Sequence, residues 1–153
     1  MGDGRKIEGK PFQFSRDGMM NVFSVIDDAE KHQGMDRTIL TADFYADEPG
    51  SLLVGLAADW KWTFRVNGKM LLDARLTANS EFPISPTNHM LEFEYQKGRN
   101  QVVFETFSGF RNREPGGGMD TALKIMEPPP VLDFKYKAFV SFPNADDNAL
   151  SVI

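Results

Sequence analysis

The side chains able to do chemistry are few and lie far apart. The chain has two histidines, His32 and His89, and neither has a partner at the three- or four-residue spacing of a helical metal site. Both read as surface loop residues. Cysteine is absent, which removes thiolate metal sites, disulfides and cysteine nucleophiles. No G-x-S-x-G elbow occurs, and the glycine run "GGGMD" lacks the Lys-Ser/Thr of a phosphate loop. Asp27-Asp28 and Asp146-Asp147 sit beside turn residues, where either pair could contribute to a structural Ca²⁺, an ion that takes several oxygen ligands. The pair of carboxylates a glycosidase uses is defined by its separation in space, which residue order does not set. No residue set amounts to an active site, so the chain itself is expected not to be an enzyme.

The densest group of recognition residues lies in "FSGFRNREPGGGMD". Phe107, Phe110, Arg111, Asn112 and Arg113 combine rings, guanidiniums and an amide. Sugars are held by such mixtures, with rings against C–H faces and polar groups on the hydroxyls. The competing reading makes Phe107 and Phe110 plugs for the end of the fold, with the arginines paired to nearby acids.

Trp60 and Trp62 are the only tryptophans. If "DWKWTFRVNG" is a strand, Trp60, Trp62, Phe64 and Val66 point one way and Lys61, Thr63 and Arg65 the other. All the apolar bulk then lies on one face, which makes Trp62 a core residue and the charged face a solvated one. Trp60 stands at the strand's start, half-exposed, where its ring could also stack on a ligand.

The elements that would position these residues are strands. Helical periodicity is nearly absent, and "SVIDDAEKHQGMD" is too short and poor in apolar spacing to make a helix. Period-two alternation recurs instead. Leu40, Ala42 and Phe44 share a face in "RTILTADFYA", and Leu91, Phe93 and Tyr95 share one in "MLEFEYQKG". "SLLVGLAA" is a continuous apolar run, as for a strand covered on both faces. Asn67-Gly68 suits a two-residue hairpin, and "KGRN" at 97–100 marks another turn, where the Asn100 side chain can bond back to the loop. Many short strands at this spacing indicate an all-β, antiparallel sandwich.

Composition agrees with a folded domain. The chain has 153 residues, 41% apolar, with 13 phenylalanines. Its net charge of −5, with basic residues scattered, offers no track for a nucleic-acid backbone. No apolar run reaches the ~20 residues of a membrane helix, so no membrane insertion is expected. The N-terminal "MGDGRKIEGKPF" has no apolar signal core; the protein would be secreted or periplasmic if a longer parent carried a signal peptide.

"GLAADWKWTFRVNGKMLLDA" followed by "LEFEYQKGRNQVVFET" resembles the galactose-binding-like jelly-roll domains attached to many bacterial glycoside hydrolases and related secreted enzymes. Asp59, Val66, Asn67, Gly68, Gly98 and Asn100 stand at the places of the family's pattern, and "GGGMDTALKI" looks like its closing loop and last strand. The resemblance spans roughly residues 37–126 and rests on turn residues, which specify fold better than ligand. "YKAFVSFPNADDNALSVI" is more distantly similar to the opening of the fibronectin-like domain that precedes calcineurin-like metallophosphoesterases, through Val140, Asn148, Ser151 and Val152. The family's usual tryptophan after the valine-isoleucine pair is not present.

The expected organisation is a jelly-roll β-sandwich over 10–127, a proline linker at 128–131, and the beginning of a second β domain, or terminal strands, over 132–153. The resemblance implies a non-catalytic accessory module of a larger bacterial hydrolase; the side-chain chemistry read above makes Trp60, Phe107, Phe110, Arg111, Asn112 and Arg113 its expected carbohydrate-binding residues. The alternative is a structural domain that packs against and positions a glycosidase or metallophosphoesterase domain. The partner is then a glycan or that neighbouring domain, and no metal or other cofactor is required.

Overall fold

The structure is a computed structural model and describes residues 10–22, 37–77, 81–107, 120–126 and 133–142. Among these described residues nine strands are found: β1 (Met19–Asn21), β2 (Arg37–Ala46), β3 (Gly50–Ala58), β4 (Lys61–Val66), β5 (Lys69–Asp73), β6 (His89–Tyr95), β7 (Gly98–Phe107), β8 (Asp120–Ile125) and β9 (Asp133–Phe142). They form a four-stranded sheet in the order β1-β8-β3-β6 and a five-stranded sheet in the order β5-β4-β7-β2-β9. Every pairing is antiparallel. The protein is an antiparallel β-sandwich, as the period-two alternation predicts.

Parity sorts the core. From the five-stranded sheet Leu40, Phe44, Trp62, Phe64 and Phe104 point inward; Leu52, Val54, Leu56 and Phe93 meet them from the other sheet. Trp62 is fully buried, with its ring edge-on to Phe104 at 5.4 Å between centroids. Phe64 packs on Phe104 and Phe93 in turn. Each such side chain removed from water contributes roughly 1.5–3 kcal/mol. The core expected at Trp62 is therefore in place.

The apolar run of β3 is covered on its outer face as well. Ala57, Ala122 and Ile84 form a small second cluster there, with Met19 packed against it. The connection from β5 to β6 folds over this face, and a Cβ added at Gly55 would run into the Pro86 carbonyl oxygen. Glycine and alanine at 55 and 57 thus let a loop lie flat on the sheet.

Turn chemistry closes the hairpins. Asn67 and Gly68 have φ of 50° and 77°, the left-handed conformation that a tight two-residue hairpin between β4 and β5 requires. Asn100, fully buried, ties the β6–β7 turn to that hairpin. Its Nδ2 donates to the carbonyls of Gln96 (2.7 Å) and Gly98 (3.1 Å), and its Oδ1 accepts from Gln96 N (3.0 Å) and Asn67 Nδ2 (2.9 Å).

Asp133–Phe142, expected as the beginning of a second domain or as terminal strands, hydrogen-bond along β2 from Arg37↔Phe142 to Tyr45↔Asp133. This strand belongs to the same sheet as β2 and β7. The proline segment 128–131 lies outside the described residues.

Candidate ligand-binding end of the sandwich

One end of the sandwich collects the residues of interest. The turn between β3 and β4 lifts Trp60 to the tip, where it is 43% exposed. Lys61, the first residue of β4, pairs with Phe107, the last of β7, and Phe107 pairs with Arg37, the first of β2. Three strands thus bring Trp60, Phe107 and Arg37 to one rim.

Phe107 is buried there. Its ring is 4% exposed, and the Arg37 guanidinium carbon stands 5.9 Å from its centroid. A ring so covered packs rather than stacks on a ligand. Phe110, Arg111, Asn112 and Arg113 lie outside the described residues. Of the six expected site residues, Trp60 is the one whose ring faces solvent among those described.

The outer face of the five-stranded sheet beneath the rim departs from the solvated surface expected for it. Lys61 and Arg65 are half-buried, and Thr63, between them, is wholly buried. Arg37 and Glu105, both buried, form an ion pair through Nε and Nη2, and Thr63 Oγ1 donates to Glu105 Oε2 at 3.1 Å. Taking two charges out of water is costly unless each is well paired, so this trio fixes the register of β2, β7 and β4. Residues 68 positions apart in sequence make the pair, which leaves no local signal to find it.

His89 is a second correction. It opens β6 rather than sitting in a surface loop, and its ring lies edge-on to Trp62 at 5.0 Å between centroids. The preceding loop holds it there. Asn88 Oδ1 accepts from Ser85 N (2.8 Å), Asn88 N donates to Ser85 O (3.1 Å), and Asn88 Nδ2 donates to Glu81 Oε2 (3.3 Å).

Between the sheets at this end the interior is polar. Thr38 and Trp62 both lie opposite Thr106 across the five-stranded sheet; Thr121 lies opposite Ala58, and His89 opposite Leu56, in the other. Thr38 Oγ1, Trp62 Nε1, His89 Nδ1 and Thr121 Oγ1 are buried without a hydrogen-bond partner. A buried polar atom left unpaired costs about 1–3 kcal/mol, so four at one end call for an explanation. Together they can both donate and accept, as hydroxyl-bearing ligands and water do.

No group of three or more His, Asp or Glu side chains among the described residues is placed to hold a metal ion. No described helix is long and apolar enough to cross a membrane. No protein-family model, curated protein or solved structure matches the chain.

Proposed function

We propose that the protein is a non-catalytic accessory module, of jelly-roll type, that binds carbohydrate at the end of the sandwich carrying Trp60. The observation that carries this reading is the exposed indole at the tip of the β3–β4 turn, standing at the same end as four buried polar atoms that lack partners. A flat ring offers a face for the C–H side of a sugar, and hydroxyls are the ligand groups that answer mixed donors and acceptors. The resemblance of "DWKWTFRVNG" to galactose-binding-like modules points the same way, and through it to attachment to a hydrolase.

The test is a glycan array followed by titration with simple sugars. Because Trp60 and Trp62 are the only indoles, sugar stacking should shift and quench the solvent-exposed fluorescence component. Trp60→Ala should abolish that change and weaken binding by tenfold or more, while the buried Trp62 still reports an intact core. Absence of binding to every glycan at millimolar concentration would overturn the reading.

A second reading has its own observation. Leu76 and Phe82, on the connection between β5 and β6, are 99% and 70% exposed. Large apolar side chains in water suit a surface that packs against a neighbouring catalytic domain and positions it.

A further inference from the structure

Asn67 is the one asparagine of the chain that is followed by glycine. Such a pair can react with itself. The Gly68 amide nitrogen attacks Cγ of the Asn67 side chain and closes a cyclic imide. The Cγ–Nδ2 bond breaks, and Nδ2 leaves as ammonia with the proton that the Gly68 nitrogen gives up. Water then opens the ring at either carbonyl, leaving aspartate, or isoaspartate in which the chain runs through Cγ. The sum consumes water and releases ammonia, with nothing oxidised or reduced. Glycine leaves the attacking nitrogen unshielded because it has no Cβ.

The folded hairpin opposes this reaction. Asn67 Nδ2 donates to Asn100 Oδ1 (2.9 Å), and Asn67 Oδ1 accepts from Gln101 N (2.9 Å). The backbone N–H of Asn67 donates to Gln101 O (2.8 Å) as well. Both ends of the side-chain amide are thus held on β7. Ring closure needs Cγ to turn onto the Gly68 nitrogen and Nδ2 to depart, so both side-chain bonds must break first. The acceptor is itself fixed, because Asn100 is fully buried and bonded to Gln96 and Gly98.

The same hairpin is placed to open ahead of the rest of the fold. β5 stands at the edge of its sheet, and its first and last residues are exposed. Asn67 and Gly68 are exposed at the tip, and a Cβ built on Gly68 would meet no atom within 4 Å. Water therefore has access to the turn. Segments with few buried contacts open locally at a lower free energy than global unfolding.

We propose that Asn67–Gly68 is a self-modification site, closed by the bonds to Asn100 and Gln101 and released when the β4–β5 hairpin opens. The change runs one way. Aspartate at 67 sets a carboxylate against Asn100 Oδ1 where a donor stood, and adds a negative charge. Isoaspartate adds a methylene to a two-residue turn whose φ values of 50° and 77° fit the hairpin. Either product weakens the tie between the hairpin and β7. The site does not depend on the carbohydrate reading.

Incubation of the full chain in mildly alkaline buffer, with peptide mass mapping at residue 67, tests this. The folded chain should lose the amide at a measurable rate, about tenfold or more below that of the chain unfolded in urea. Urea short of the unfolding transition should raise the folded-state rate with a slope smaller than that of global unfolding. Asn100→Ala removes the acceptor; it should speed the folded-state reaction about tenfold and leave the rate in urea unchanged. The urea series uses the unaltered chain, so it decides the matter even where Asn100→Ala does not fold. The modified chain, separated by its added charge, should melt at a lower temperature than its parent, and Asn67→Asp should do the same. Equal rates in the folded and unfolded chains would remove the gate and overturn the proposal. So would an amide that survives in the folded chain while the unfolded chain converts, or a loss that follows only global unfolding. A folded Asn100→Ala chain that reacts no faster, or a modified chain as stable as its parent, overturns it equally.

Discussion

Asn100 uses all of its amide on backbone and on Asn67, which defines what a change there does. Asn100→Asp would turn a carboxylate oxygen toward the Gln96 and Gly98 carbonyls in a fully buried site. Two donated bonds become two repulsions, and the expected loss is about 3 kcal/mol, read as a lower urea midpoint at unchanged slope. Thr38 presents the opposite case. Its Oγ1 is buried and has no partner, so Thr38→Val removes a desolvated hydroxyl and keeps the shape. Stability should stay level or rise by up to ~1 kcal/mol. A clear fall would mean that a bound molecule satisfies that hydroxyl. The bonding of Asn100 back to its loop was legible from the turn "KGRN", because the partners are local. The orphaned hydroxyl of Thr38 was not legible, because its surroundings come from strands distant in sequence.

At the scale of elements, alternation placed Leu40, Phe44, Trp62, Phe93 and Tyr95 on the core side from residue order alone. It failed where the side chains of neighbouring strands bury a residue on the second face, as at Thr63 beside Glu105 and Asp43 beside Arg99. Asp43 is buried although it alternates outward, since β2 is flanked by strands on both edges and Arg99 pairs with its carboxylate at 2.8 Å. His89 was misplaced for a related reason: nothing local shows that the loop before β6 presses its first residue onto Trp62. The end of β5 carries a testable device. Asp73 Oδ1 accepts from Arg75 N (3.1 Å) and Nε (2.9 Å), and Oδ2 from Nη2 (2.6 Å), which closes the turn after the strand. The hydrogen bond from the Arg75 side chain holds the Asp73 carboxyl below its ordinary value of 3.8, against a smaller opposing effect of burial. A depressed folded-state pKa stabilises above the unfolded value, and that contribution is lost as pH falls through the folded one. Asp73→Asn should therefore cost less than ~1 kcal/mol at neutral pH, because the pair is largely exposed. The gap from the parent chain should shrink below pH 3.8 and narrow in high salt, as urea unfolding across pH would show.

Across the whole molecule, the decisive feature is where the last described strand goes. The proline run "EPPPV" reads as a boundary, yet Asp133–Phe142 pairs with β2 along its length and makes β2 an interior strand. Proline stops an element without saying whether the chain leaves the fold or returns to it, which is why order along the sequence could not decide between a second domain and a terminal strand. The two have different consequences on truncation. A chain ending at residue 126 would leave the ten residues of β2 as an open edge, with Ile39, Leu40 and Phe44 beside unpaired backbone amides and carbonyls. Its loss of stability should reach several kcal/mol, a drop of roughly 10 °C or more in Tm, accompanied by concentration-dependent association. If 133–153 instead formed a unit of their own, the shortened chain would keep both its Tm and its monomer behaviour, and scanning calorimetry with size-exclusion chromatography at several concentrations distinguishes these outcomes. A strand that returns to the sheet after a proline run also fixes the sandwich to whatever follows it in a longer protein. Force or domain motion arriving from the C-terminal side would then act directly on β2, whose first residue Arg37 joins the Phe107 rim near Trp60.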